Sequence, residues 1–71
     1  MELYELGKQY EQRAAELTEY IHSLNKQLRN LTGENKLLMR RRIYMLYQDV
    51  TNLRQLAKKM TEYYERNAHN G

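Results

Sequence analysis

The chain has no cysteine, proline, tryptophan or phenylalanine, and only three glycines among its 71 residues. Without cysteine it has no disulfide framework, and with only two histidines it offers no dense ligand cluster for a structural metal. No apolar run approaches the ~20 residues that a membrane-spanning helix needs. The N-terminus also lacks the basic-then-apolar pattern of a secretion signal. These absences fit a cytoplasmic protein that meets no membrane. A chain this short has room for one small domain with a narrow core, and small domains lacking disulfides or metal usually gain their support by oligomerising.

What is present is heptad order. Leu3, Tyr10, Leu17, Leu24 and Leu31 recur at every seventh position, interleaved with Gly7, Ala14, Ile21 and Leu28. A second seam alternates Ile43, Val50, Ala57 and Tyr64 with Met39, Leu46, Leu53 and Met60. The two seams are out of phase by one residue. Extending the first would put Leu38, Met45 and Asn52 inside instead of Met39, Leu46 and Leu53. The break falls near Gly33, which predicts two amphipathic helices and not one rod. Leu6, Tyr20, Leu56 and Tyr63 at g positions and Tyr47 at an e position widen the apolar stripe beyond what a lone pair needs, favouring a bundle of three or four helices.

The expected fold is therefore all-α. A single antiparallel two-helix hairpin fills residues 1–71 and dimerises into a four-helix bundle. Helix 1 is expected over about 2–31, the turn over about 32–35, helix 2 over about 36–66, and a frayed tail over 67–71. Gly33 is expected to end helix 1 in a left-handed conformation, and Asn35 to cap helix 2. Leu17, Ile21, Leu24, Leu28, Ile43, Leu46, Val50 and Leu53 are the expected oligomer core. Gly7 or Tyr10 should oppose Tyr64 or Met60.

Charge supplies the functional hint. Net charge is +3 but unevenly spread. Before Ile21, Glu2, Glu5, Glu11, Glu16 and Glu19 face only Lys8 and Arg13. Around the turn, Lys26, Arg29, Lys36, Arg40, Arg41 and Arg42 face only Glu34. A hairpin would gather these cations at one end, making a polarised rod. Lys36 and Arg40 to Arg42 fall in the first turns of helix 2, where the helix dipole disfavours positive charge by a few tenths of a kcal/mol each, up to ~1. Something should compensate. One reading is the acidic stretch of a second subunit, with Glu2, Glu5 and Glu11 meeting Arg40 to Arg42. The other is a nucleic acid. Arg40, Tyr47 and Arg54 at e, and Tyr44, Thr51 and Lys58 at b, form an Arg/Tyr strip suited to phosphates and unpaired bases. Lys36, Arg40, Arg41, Arg42, Tyr44 and Arg54 are the candidate partner or polyanion contacts. Such a strip also serves simply as a solvated face.

No catalytic residues are expected. Glu19 and His22 have the Glu-x-x-His spacing of di-iron bundles, but Ile21 is the inward residue there and helix 2 carries no matching motif. No Gly-rich phosphate loop is present. The sequence reads as a non-enzymatic helical oligomerisation or adaptor module without metal, cofactor or small-molecule substrate. Its partner is itself, as a homodimer, or another helical protein. The alternative is a small RNA- or DNA-binding bundle using the basic face of helix 2.

Overall fold

The computed structural model describes the backbone of residues 2–70 and the side chains of residues 2–63. Two helices, α1 (Glu2–Leu28) and α2 (Gly33–Asn70), pack side by side as a hairpin. Glu2 and Glu5 occupy the first turn of α1 and Lys26 its last, matching the helix dipole. The molecule is a rod of 57 × 14 × 13 Å, and its long dimension is the length of α2 at ~1.5 Å per residue.

The turn differs in detail from the sequence expectation. α1 stops at Leu28, short of Leu31, because the backbone N–H groups of Asn30 and Leu31 donate to the carbonyls of Gln27 and Leu28 at 3.0 and 3.1 Å. These three-residue-spaced bonds tighten the chain out of the α-helix. Gly33 has a φ of +62°, yet it lies beyond the end of α1 and opens α2. Its left-handed backbone redirects the chain into the second helix and does not close the first. Asn35 consequently falls inside the first turn of α2 and cannot be its cap. Glu34 is the acidic residue of that turn. At its far end α2 continues past Arg66 to Asn70, with no glycine or proline before Gly71 to interrupt it.

Packing follows the heptads with one systematic departure. The a positions Gly7, Ala14 and Ile21 of α1, and Ile43, Val50 and Ala57 of α2, are buried. Among the described d positions only Leu24 is buried. Leu17, Met39, Leu46 and Leu53, together with Leu28, pack against that core while staying half-buried. Two helices in contact cover one line of side chains well, and a second line needs a further neighbour. Gly7 sits where α1 and α2 come close: a Cβ placed on it would lie 3.4 Å from Met60 Cβ and from the Ala57 carbonyl oxygen. Gly7 thus opposes Met60 and the small Ala57, whereas the side chain of Tyr64 lies outside the described residues.

Candidate functional site

Two hydrogen bonds across the hairpin establish which rows share a side. The Arg42 guanidinium donates to the Tyr20 hydroxyl at 3.2 Å. Both residues are at g positions. On the other side Arg54 donates to Thr18 Oγ1 at 3.5 Å, and both of these are at e positions. Because the helices run antiparallel, equal heptad letters fall on equal sides, with d and g together on one and e and b on the other. The hairpin therefore has two unlike faces.

The d/g face is apolar. Half-buried Leu3, Tyr10, Leu17, Leu46, Leu53 and Met60 run along its middle. Exposed Leu6, Tyr20, Leu56 and Tyr63 border it. At the adjoining c positions of α2, Leu38 and Met45 extend it outward, both more than half exposed. In the sequence Leu38 and Met45 stand out only as residues of the first frame carried forward, although their c positions place them beside the g row. Arg13, Arg42 and Asp49 are the charged g residues, and Arg13 and Asp49 help line a shallow groove floored by Leu17, Leu53 and Leu56. A second groove, beside the turn, is lined by Leu31, Asn35, Leu38, Met39 and Arg42.

The e/b face is polar and basic. Thr18 and Thr61 return their hydroxyls to the carbonyls of Ala14 and Ala57, at 2.8 and 2.9 Å, so these half-buried groups are satisfied within their own helix. Arg40, Tyr44, Tyr47, Arg54 and Lys58 stand exposed on α2. Tyr44 is 64% and Tyr47 51% exposed. Tyr47 does not share a side with Tyr20 and Tyr63, so it cannot border the same apolar stripe. On α1 the Lys8 ammonium lies 4.9 Å from the centre of the Tyr4 ring.

The candidate contacts are only partly gathered. Arg40, Tyr44 and Arg54 share the e/b face. Arg42 lies on the d/g face, Arg41 points between the two at an f position, and half-buried Lys36 stays near the turn. Successive residues diverge by ~100° around a helix, so no single flat surface uses Arg40, Arg41 and Arg42 together. Glu5 and Glu11, at f and e, likewise do not face the side that carries Arg42. α2 also returns Lys58, Lys59 and Glu62, a net charge of +1, toward the acidic end of α1, and Lys58 pairs with Glu62 at 4.0 Å. Glu19 and His22 are exposed while Ile21 is buried. Among the described residues no three His, Asp or Glu side chains could hold a metal ion, and no helix is long and apolar enough to cross a membrane. No protein-family model matches the chain, and no match was found among curated proteins or solved structures.

Proposed function

We propose that this chain is a non-enzymatic assembly module whose d/g face receives a second copy, giving a four-helix bundle of two hairpins that serves as an oligomerisation or adaptor unit. The observation that carries the reading is the one-sidedness of the half-buried leucines and methionines: both helices turn their d and g rows the same way. A second copy related by a twofold axis presents the same rows, and a self-complementary apolar patch is what such an interface requires. Leu17, Leu28, Leu46 and Leu53 would then complete their burial, joining Ile21, Leu24, Ile43 and Val50 in a single core.

Surface area supports this. The chain exposes 6016 Å². A compact monomer of its mass would expose about 4,700 Å². The excess, roughly 1,300 Å², exceeds the ~800 Å² that each partner buries in a standard interface. The core of the lone hairpin is also thin, since two of the six buried apolar side chains among the described residues are alanines.

Light scattering on the purified chain tests the proposal, with twice the 8.7 kDa chain mass expected. A melting temperature that rises with concentration should accompany it, because dissociation and unfolding are linked. A folded particle of single-chain mass at all concentrations would reject self-association. The d/g face would then be left to a different helical protein.

A further inference from the structure

We infer that the e/b face of α2 is a binding site for single-stranded nucleic acid, formed by Arg40, Tyr44, Tyr47, Arg54 and Lys58. Three observations point there. First, the face cannot be explained by assembly: it lies opposite the d/g rows, so pairing through those rows leaves Tyr44 and Tyr47 bare. Two tyrosine rings, each at least half exposed and one turn apart on the same side, make a two-ring stacking surface. Second, the rings are framed by cations. Arg40 lies one turn before Tyr44, while Arg54 and Lys58 follow two and three turns after Tyr47. The row spans ~27 Å of helix, on the scale of a strand of four or more nucleotides. Third, the e and b positions of α2 from Leu37 to Lys58 include no carboxylate, on the same side of α1 the only one is Glu11, and Glu62, at an f position, meets Lys58 at 4.0 Å in an exposed pair that a phosphate can replace. Exposed Gln48 and Asn52 extend the tyrosine groove with amides able to donate to and accept from base edges.

Guanidinium and ammonium groups at both ends hold phosphates, while the rings stack on unpaired bases. A paired duplex hides its base faces and offers the rings nothing. The site therefore prefers a single strand, and its sequence preference is weak because stacking tolerates any base. The site lies within one hairpin, and it rests on the proposed d/g pairing only in that such pairing leaves its rings uncovered.

The test is fluorescence anisotropy of a labelled mixed-sequence 12-nucleotide RNA, with the matching DNA strand, the RNA duplex and an abasic DNA strand as comparisons. Both single strands should bind more tightly than the duplex and the abasic strand. Three cation contacts should give a logarithmic salt slope near −2, at ~0.7 per phosphate on a single strand. The double variant Arg40→Glu/Arg54→Glu should lose tenfold or more. Tyr44→Ala/Tyr47→Ala should lose about thirtyfold or more for strands that carry bases and nothing for the abasic strand. Circular dichroism and mass should be unchanged in both variants, since all four residues are exposed and the Arg54–Thr18 contact that is lost is a long surface hydrogen bond of 3.5 Å. Absence of binding at low salt overturns the proposal. So does equal affinity for abasic and base-bearing strands, or tighter binding to anionic phosphatidylserine vesicles than to RNA.

Discussion

Arg42 and Tyr20 meet across the apolar side of the hairpin, guanidinium to hydroxyl at 3.2 Å, although 22 positions separate them in the chain. This contact puts Arg42 on a different surface from Arg40, and Arg41 between them. The three adjacent arginines can therefore be separated by experiment. Arg42→Glu should weaken self-association, most visibly at low salt. Arg40→Glu should spare it and reduce nucleic-acid affinity. Arg41→Glu should leave both within about twofold. Sedimentation and anisotropy on the three single variants check this, and identical behaviour of all three would refute the division into faces.

Replacing Leu56 and Tyr20 with Lys places charges at two sites exposed in the hairpin but proposed to be covered in the assembly. Burying a large apolar side chain contributes ~1.5–3 kcal/mol. Even partial loss at both sites should raise the dissociation constant by roughly a hundredfold. Light scattering across a dilution series would reveal it. An unchanged mass would place the contact elsewhere.

Ile21 and Leu24 are different, being 1% and 4% exposed within the hairpin itself. Ile21→Asp or Leu24→Asp sets a carboxylate against apolar neighbours with no counter-ion, and should abolish the cooperative thermal transition at every concentration. Retention of full helicity and a sharp melt would show that this seam is not the core.

At Gly33 an added Cβ meets nothing within 4 Å, but the φ of +62° is left-handed. Strain therefore comes from the backbone alone. Gly33→Ala should cost about 1–2 kcal/mol, and Gly33→Asn clearly less, because asparagine tolerates this conformation. Chemical denaturation of the two variants should give that order.

Gly7 should respond in the opposite direction. A methyl group there would rest at ordinary contact distances from Met60, Ala57 and Thr61, and no positive φ holds the position. Gly7→Ala should stabilise the chain by about 0.5–1 kcal/mol through helix propensity. A destabilised variant would mean that the helices need to approach more closely.

The heptad seams were legible because burial in a helix follows a short period: Ala14, Ile21, Ile43, Val50 and Ala57 are buried as their a positions imply. The inequality between a and d was not legible, since it depends on how two helices face each other and not on either pattern alone. Tyr47 shows the same limit. Its e position is adjacent to the seam, but only the pairing of Arg54 with Thr18 reveals which side it occupies. Charges counted along the chain leave out that α2 brings Lys58, Lys59 and Glu62 back alongside the first half of α1. Asn35 has the side chain of a cap, but Gly33 opens α2 two residues earlier and leaves Asn35 inside the first turn.

The hairpin closes on itself in a definite order of cost. Tyr20 and Arg42, nearer the turn, enclose a shorter stretch of chain than Thr18 and Arg54, which are 36 positions apart. Gly7 and Met60 enclose most of the protein. Loop-closure entropy rises with each step outward, so contacts beside the turn can form first and shorten the search for the next. The molecule should zip from residues 28–39 toward its termini and open in the reverse sense. Amide hydrogen exchange should record this as protection that declines along both helices away from the turn. On the same logic Gly33→Ala should slow refolding more than it speeds unfolding.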